Sequence, residues 1–158
     1  MAKYSVRDSK IHGTGVFAEE DIKKGTKILE YLGEKVSKEE GNKREQEQLK
    51  KAKHGSGQVY LFELDEESDI DGDVPYNDAR FVNHSCDPNC EVEIKDGHIW
   101  FVAIRDIKNG EELSIDYGFD LEYFGQYLCK CGAKNCVGFI VGKDHWDKIP
   151  KPKEPLKQ

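Results

Sequence analysis

Two short stretches concentrate the residues able to do chemistry. Near the end of the chain, "CKCGAKNC" sets Cys129, Cys131 and Cys136 in C-x-C-x4-C spacing, with Gly132 permitting a tight turn. Earlier, "RFVNHSCDPNC" packs Asn83, His84, Cys86, Asp87 and Cys90 between Arg80 and Cys90. Three thiolates on one loop can face one centre, and a structural zinc takes four ligands in a tetrahedron. The fourth must come from elsewhere, and Cys86 and Cys90 are the candidates. Four sulfurs leave no open position for water, so such a zinc would be structural rather than catalytic. The alternatives are reduced, unliganded thiols, a redox pair, or a Cys/His hydrolase built on His84 and Cys86. Side chains at i and i+2 of a strand do point the same way, but a hydrolase also needs a third, orienting group.

The bulk properties narrow these readings. The five cysteines are an odd number, which makes an all-disulfide framework awkward. The N-terminal "MAKYSVRDSK" has no apolar signal core, so a reducing, intracellular compartment is expected, cytoplasmic or nuclear, with a host-targeted effector also open. There, clustered cysteines favour metal or catalysis over disulfides. No run approaches the roughly twenty apolar residues of a membrane span. A net charge of -7 argues against binding nucleic acid through bulk charge and suits a basic partner, such as a lysine-rich peptide. The 158 residues fit one domain, expected to be a monomer, that can bury roughly two-thirds of its unfolded surface.

The elements that must position these residues are mostly short strands. "TKILEYLGE" and "VYLFEL" (Val59 to Leu64) have the β-branched and aromatic content of strands. "CEVEIKDGHIWFVAIRDI" predicts a hairpin turning at "KDG", and Glu112 to Asp116 predicts another short strand. "DIKKGTKI" and "DIKNGEEL" are alike, each a turn leading into a strand; their differing flanks argue against a structural repeat. Ser37 to Lys53 is the one helix, with capping-box spacing between Ser37 and Glu40. Its polar composition predicts an exposed helix held by little, weakened by Gly41. The acidic set Asp65, Glu66, Glu67, Asp69, Asp71 and Asp73 predicts a solvated turn, or a lure for a basic substrate tail. "PKPKEPLKQ" closes the chain as a mobile tail.

"HGTGVFA" places two glycines one apart before a strand, too weak alone to name a ligand. In order, however, "KIHGTGVFA", "ILEYLGE", "YLFELD", "RFVNHSCDPNC", "GEELSIDYGFD" and "CKCGAKNC" resemble the SET-domain protein lysine methyltransferases with their cysteine-rich post-SET segment, from about Val6 to Phe139. The resemblance implies a mostly β fold of small curved sheets with a pseudoknot. It implies a SET domain over 1–124 with a variable insert at about 37–58, a post-SET zinc segment over 125–142, and a tail over 143–158. It also implies transfer of a methyl from S-adenosylmethionine, leaving S-adenosylhomocysteine, to a lysine of a histone tail or another basic protein through a narrow channel.

By the same resemblance Tyr117 is the catalytic tyrosine. Gly13, Thr14, Gly15, Val16, Phe17, Asn83, His84, Tyr117 and Phe139 contact the methyl donor, Phe139 over its adenine. Tyr60, Ile115 and Phe119 line the lysine channel; Ile115 stands where many relatives carry Phe or Tyr. Cys86, Cys129, Cys131 and Cys136 hold one structural zinc, and Cys90 is a free thiol. The alternative is a SET-like interaction module, stapled by zinc, that has lost catalysis.

Overall fold

The computed structural model describes residues 2–53, 59–119 and 128–149, built mainly from short antiparallel strands. β1 (Tyr4–Asp8) and β2 (Thr14–Ala18) form a hairpin. β3 (Lys27–Tyr31) precedes β4 (Glu34–Ser37), which leads into α1 (Lys38–Lys53). β5 (Leu61–Glu63) and β6 (Ser68–Asp71) follow, then a 3-10 turn at Asp78–Phe81. β7 (Asn83–His84), β8 (Cys90–Lys95), β9 (His98–Ala103) and β10 (Ser114–Ile115) complete the strands. Two three-stranded antiparallel sheets result, ordered β3-β9-β8 and β4-β6-β5. β7 and β10, thirty residues apart in sequence, pair in parallel, with Asn83 opposite Ser114 and His84 opposite Ile115.

The β8–β9 hairpin lies where its sequence predicts. Asp96 and Gly97 both take positive φ, 52° and 80°, the pattern of the tight primed turn that matches strand twist. The apolar core lies against β3 and β9. Ile28, Ile99 and Phe101 there are at most 1% exposed, each contributing about 1.5–3 kcal/mol of burial. Val16, Ile22, Ile107, Leu113 and Ile115 join the same cluster.

The two similar turns clasp each other. Ile22 and Ile107 exchange both backbone hydrogen bonds, at 2.8 and 2.7 Å. Asp21 accepts from the Asn109 N–H and Asp106 from the Lys24 N–H, both at 2.9 Å. Gly25 and Gly110 sit at matching positive φ, 89° and 92°. Like sequences at two places satisfy each other's loop backbone, which ties the front of the chain to the segment leading into β10.

The acidic stretch is the solvated turn its composition predicts at Asp65, Glu66 and Glu67, and Asp73 is exposed too, but Asp69 and Asp71 depart from it. Ser68–Asp71 is the central strand of its sheet, with Asp69 and Asp71 each 9% exposed. Buried carboxylates need partners, and α1 supplies them: Lys38 Nζ reaches Asp69 at 2.6 Å, and Arg44 and Gln48 donate to Asp71. Half of the helix positions whose side chains are described are exposed, and the helix is not held by little. Its buried seam is polar, and Gly41, itself buried, lets the backbone approach where a Cβ would strike the Asp69 carboxylate. At its start Ser37 Oγ accepts from the Glu40 N–H at 3.1 Å, the expected cap. Residues 54–58 of the insert lie outside the described residues.

Candidate functional site

Tyr117 is held at both ends by the segment it pairs beside. Its backbone N–H donates to His84 Nδ1 at 3.0 Å, and its hydroxyl donates to the Val82 carbonyl at 2.7 Å. Pairing of β7 with β10 makes this geometry, because it lays residues 82–84 alongside 114–117. Burial pushes the Tyr117 phenol well above its ordinary value, with the nearby Tyr60 adding to the rise. Its ring lies between those of His84, at 5.4 Å between centroids, and Phe119, at 5.6 Å.

Tyr60 is fixed through its backbone. Its N–H donates to Gln48 Oε1 at 2.7 Å, and its carbonyl accepts from Tyr31 Oη at 2.7 Å and the Gly72 N–H at 2.9 Å. Tyr31 is core, 7% exposed, against Phe62 and Phe101. Its hydroxyl, like that of Tyr60, is driven up first by burial, and Tyr117 and Tyr60 both act on it. The fold thus brings Tyr60, Tyr117 and Phe119 to one place. Ile115 instead points into the main core, 3% exposed, with Tyr117 packed on the same cluster.

Asn83 staples the glycine loop. Its Nδ2 lies 3.1–3.2 Å from four acceptors: Ser9 Oγ, the His12 and Thr14 carbonyls and Glu112 Oε1. An amide has only two N–H groups, so the acceptors outnumber the donors. Gly13 has positive φ, 44°, in open space, whereas a Cβ on Gly15 would run into the Glu112 carboxylate and Ser9. Val16 is wholly buried in the core, and the Phe17 ring is covered by the Arg7 guanidinium at 4.2 Å. The Val16 side chain is closed to a ligand, so any contact from that position is made by backbone, whereas Phe17 is half-buried.

His84 is 3% exposed, and both ring nitrogens are turned inward: Nδ1 to Tyr117 and Nε2 to Cys86 Sγ at 3.8 Å. Its side chain is therefore committed within the protein, and a contact with a methyl donor falls to its backbone.

The sulfurs of Cys86, Cys129, Cys131 and Cys136 all lie within 4.8 Å of one another. Cys86 and Cys129 are 3.8 Å apart. Thiolates about 2.3 Å from a tetrahedral zinc stand about 3.8 Å from each other, so the donor set fits that ion. The Cys86 thiol is pushed down to about 3, first by the donor Cys129 and then by His84, while Cys129 is driven up because it supplies that hydrogen bond. Without a metal the pair shares one proton, held on Cys129 and donated to the Cys86 thiolate; a bound metal would displace it. The two candidates for fourth ligand are thereby separated. Cys90 stays out of the cluster, 1% exposed, its thiol pushed up to about 12 by burial. Phe139 lies half-buried in the same segment, bridging Leu128.

Residues 143–149 of the expected tail are described, and 150–158 lie outside the described residues. Lys143–Lys148 forms a 3-10 turn. Gly142 N donates to the Phe119 carbonyl and Lys143 N to Asp116 Oδ2, both at 3.0 Å, so the cysteine-bearing segment is stitched to the strand end that carries Tyr117. Three structural asparagines carry no signal in the sequence. Asn89 donates to the Glu112 carbonyl at 2.8 Å and accepts from the Ser114 N–H at 2.9 Å, fixing the approach to β10. Asn77, fully buried, joins Leu32 to Gly72. Asn135 donates to the Cys86 carbonyl at 3.1 Å. Only proximity in sequence to Cys86 and Cys136 could have flagged Asn89 and Asn135.

Residues 13–118 match the family model described as "SET domain". The chain is 43% identical over 138 residues to the "Histone-lysine N-methyltransferase, H3 lysine-4 specific" of Aspergillus oryzae, covering 84% of this chain and 11% of that protein. It is 43% identical over 133 residues to "Histone-lysine N-methyltransferase trr" of Drosophila melanogaster, covering 81% and 5%. With the H3 lysine-4 specific enzyme of Saccharomyces cerevisiae it shares 41% identity over 138 residues, covering 84% and 12%. The chain spans about a tenth or less of the length of these curated relatives. With the matched region covering well over half of it, and three of the four clustered cysteines following that region, this chain belongs to the SET-domain family.

Proposed function

We propose that this chain is an S-adenosylmethionine-dependent protein-lysine N-methyltransferase whose substrate is a histone tail, with H3 lysine 4 the first site to test. The observation that carries the reading is the seat of Tyr117. Its hydroxyl proton is engaged by Val82, its ring lies beside Phe119, and Tyr60 is near. When bound, the methyl donor supplies an electrophilic methyl on a positively charged sulfur. The protein's part is to place an uncharged lysine nitrogen in line with it.

A free lysine amine is mostly protonated at neutral pH. A dry aromatic wall of Tyr60, Tyr117 and Phe119 disfavours the ammonium by desolvation, while its ring faces still tolerate cationic states. With its own proton donated to Val82, the Tyr117 oxygen is left to accept an N–H from the amine. That aims the nitrogen lone pair away from Tyr117 and toward the methyl. The raised phenol makes Tyr117 an orienting group rather than a general base.

The acceptors around Asn83, one of them a carboxylate, suit the cationic amino group of the methyl donor. Gly13 and Thr14 offer open backbone beside them, with the backbones of Gly15, Val16, Phe17 and His84 flanking, and Phe139 is placed to cover the adenine. Cys86, Cys129, Cys131 and Cys136 would hold zinc, which fixes the segment stitched to Phe119 and Asp116. Ile115 supports the channel from the core.

The test is labelled-methyl transfer to histone H3 peptides with lysine or arginine at position 4. Transfer that vanishes with arginine supports the reading. Methyl-donor binding without transfer to any histone would favour a binding module instead.

A further inference from the structure

We infer that the His84 imidazole is a fixed bridge between the metal centre and the Tyr117 backbone, its Nε2–H donating to the Cys86 sulfur while Nδ1 accepts from the Tyr117 N–H. This rests on the reading of the four cysteines as a metal site.

The tautomer follows from one contact. Tyr117 N lies 3.0 Å from His84 Nδ1, and an amide nitrogen can only donate, so Nδ1 must present a lone pair. In the neutral ring the proton then sits on Nε2, which faces Cys86 Sγ at 3.8 Å, within reach of a sulfur acceptor. The other charged group facing the ring is Asp116, whose Oδ1 is 3.8 Å from Nδ1, too far for an N–H···O bond. That carboxylate is already occupied by the Gly118 and Lys143 N–H groups. At 3% exposure the ring has no water to turn toward.

The consequence is a short mechanical path. A donor on a ligating thiolate withdraws charge from sulfur and fixes its direction, as outer-shell partners of metal ligands do. The ring plane fixed by that bond also fixes the position of Nδ1, and through it the amide of Tyr117. His84 is thus a positioning residue: it carries order from the metal to the tyrosine without touching substrate.

Four readouts test this on the full chain. In the zinc-loaded wild type, imidazole nitrogen resonances should show His84 as the Nε2–H tautomer; the Nδ1–H tautomer overturns the inference without any variant. His84→Asn keeps an acceptor near Nδ1 but loses the donor to sulfur, so zinc loss to a competing chelator should become about 10–100-fold easier. In cobalt-loaded His84→Asn the thiolate-to-metal charge-transfer band should move to lower energy. His84→Gln keeps a donor near Nε2, so it should hold metal within a few-fold of wild type while kcat for methyl transfer falls. Equal metal retention by wild type and His84→Asn overturns the bridge alone. A wild type that takes up no metal overturns the metal reading and the bridge with it. Should either variant fail to fold, the wild-type tautomer decides.

Discussion

The hydroxyl of Tyr117 donates to the carbonyl of Val82 across 2.7 Å, so its proton is spent inside the protein before any substrate arrives. Tyr117→Phe removes the acceptor for the amine and leaves the Val82 carbonyl unpaired. Methyl transfer should fall by at least about 10²-fold, with peptide KM moving far less, since orientation rather than binding is lost. Unpairing a buried carbonyl should also cost about 1–3 kcal/mol of stability. Single-turnover transfer and a denaturant melt measure the two effects, and an unchanged rate would remove Tyr117 from the mechanism.

The high-pH side of the stability curve follows from the phenols. Tyr4, Tyr31, Tyr60 and Tyr117 are all raised above the ordinary 10.0, each first by burial, Tyr4 to about 12. The unfolded chain ionises these groups sooner than the folded one, so the unfolded state binds fewer protons above pH about 10. Their contribution is present below that value and is lost as pH rises through the folded values. The denaturant midpoint should hold steady up to pH about 9 and drop by about 11; a midpoint that rises there contradicts the buried phenols.

Gly41 sits in the interior of α1, where Gly→Ala ordinarily stabilises by about 1 kcal/mol. Here the sign should reverse. The new methyl would meet the Asp69 carboxylate, which Lys38 holds at 2.6 Å in a buried strand. Thermal melts of Gly41→Ala against a control Glu47→Ala on the exposed face decide it; stabilisation at Gly41 would mean the helix is not docked as described.

Gly15 and Glu112 should be energetically coupled. A methyl at Gly15 displaces the carboxylate that Asn83 reaches at 3.1 Å. Gly15→Ala alone should cost about 1–3 kcal/mol. In the background of Glu112→Ala, where the space is open, much of that cost should disappear, giving an interaction of about 1 kcal/mol or more in a double-mutant cycle. Additive costs would place the two side chains apart.

Cys90 should behave as a core residue. With its thiol at about 12 and 1% exposed, it should resist alkylation in the native state near pH 8, about where a free thiol begins to react. Cys90→Ala should leave the metal content unchanged. Lost metal in that variant would assign Cys90 to the cluster.

The C-x-C-x4-C spacing, the Asp-Gly turn, the Ser37 cap and the order of six short motifs are local properties, and a chain read by eye shows them. They carried the mostly β class, the cysteine cluster and the family. Tertiary structure alone decided what depends on partners distant in sequence. Asp69 and Asp71 look like surface charge until Lys38, Arg44 and Gln48 are brought against them. Gly41 looks like a helix defect until a carboxylate occupies the space its side chain would need. Cys86 and Cys90 are equal candidates by composition, and only the parallel pairing of Asn83–His84 with Ser114–Ile115 and the docking of the C-terminal segment separate them. The His84 imidazole looks open to a ligand until both nitrogens are seen to face inward. A sequence states which groups can donate and accept, but the fold determines which of them are already paired, and so which remain for chemistry.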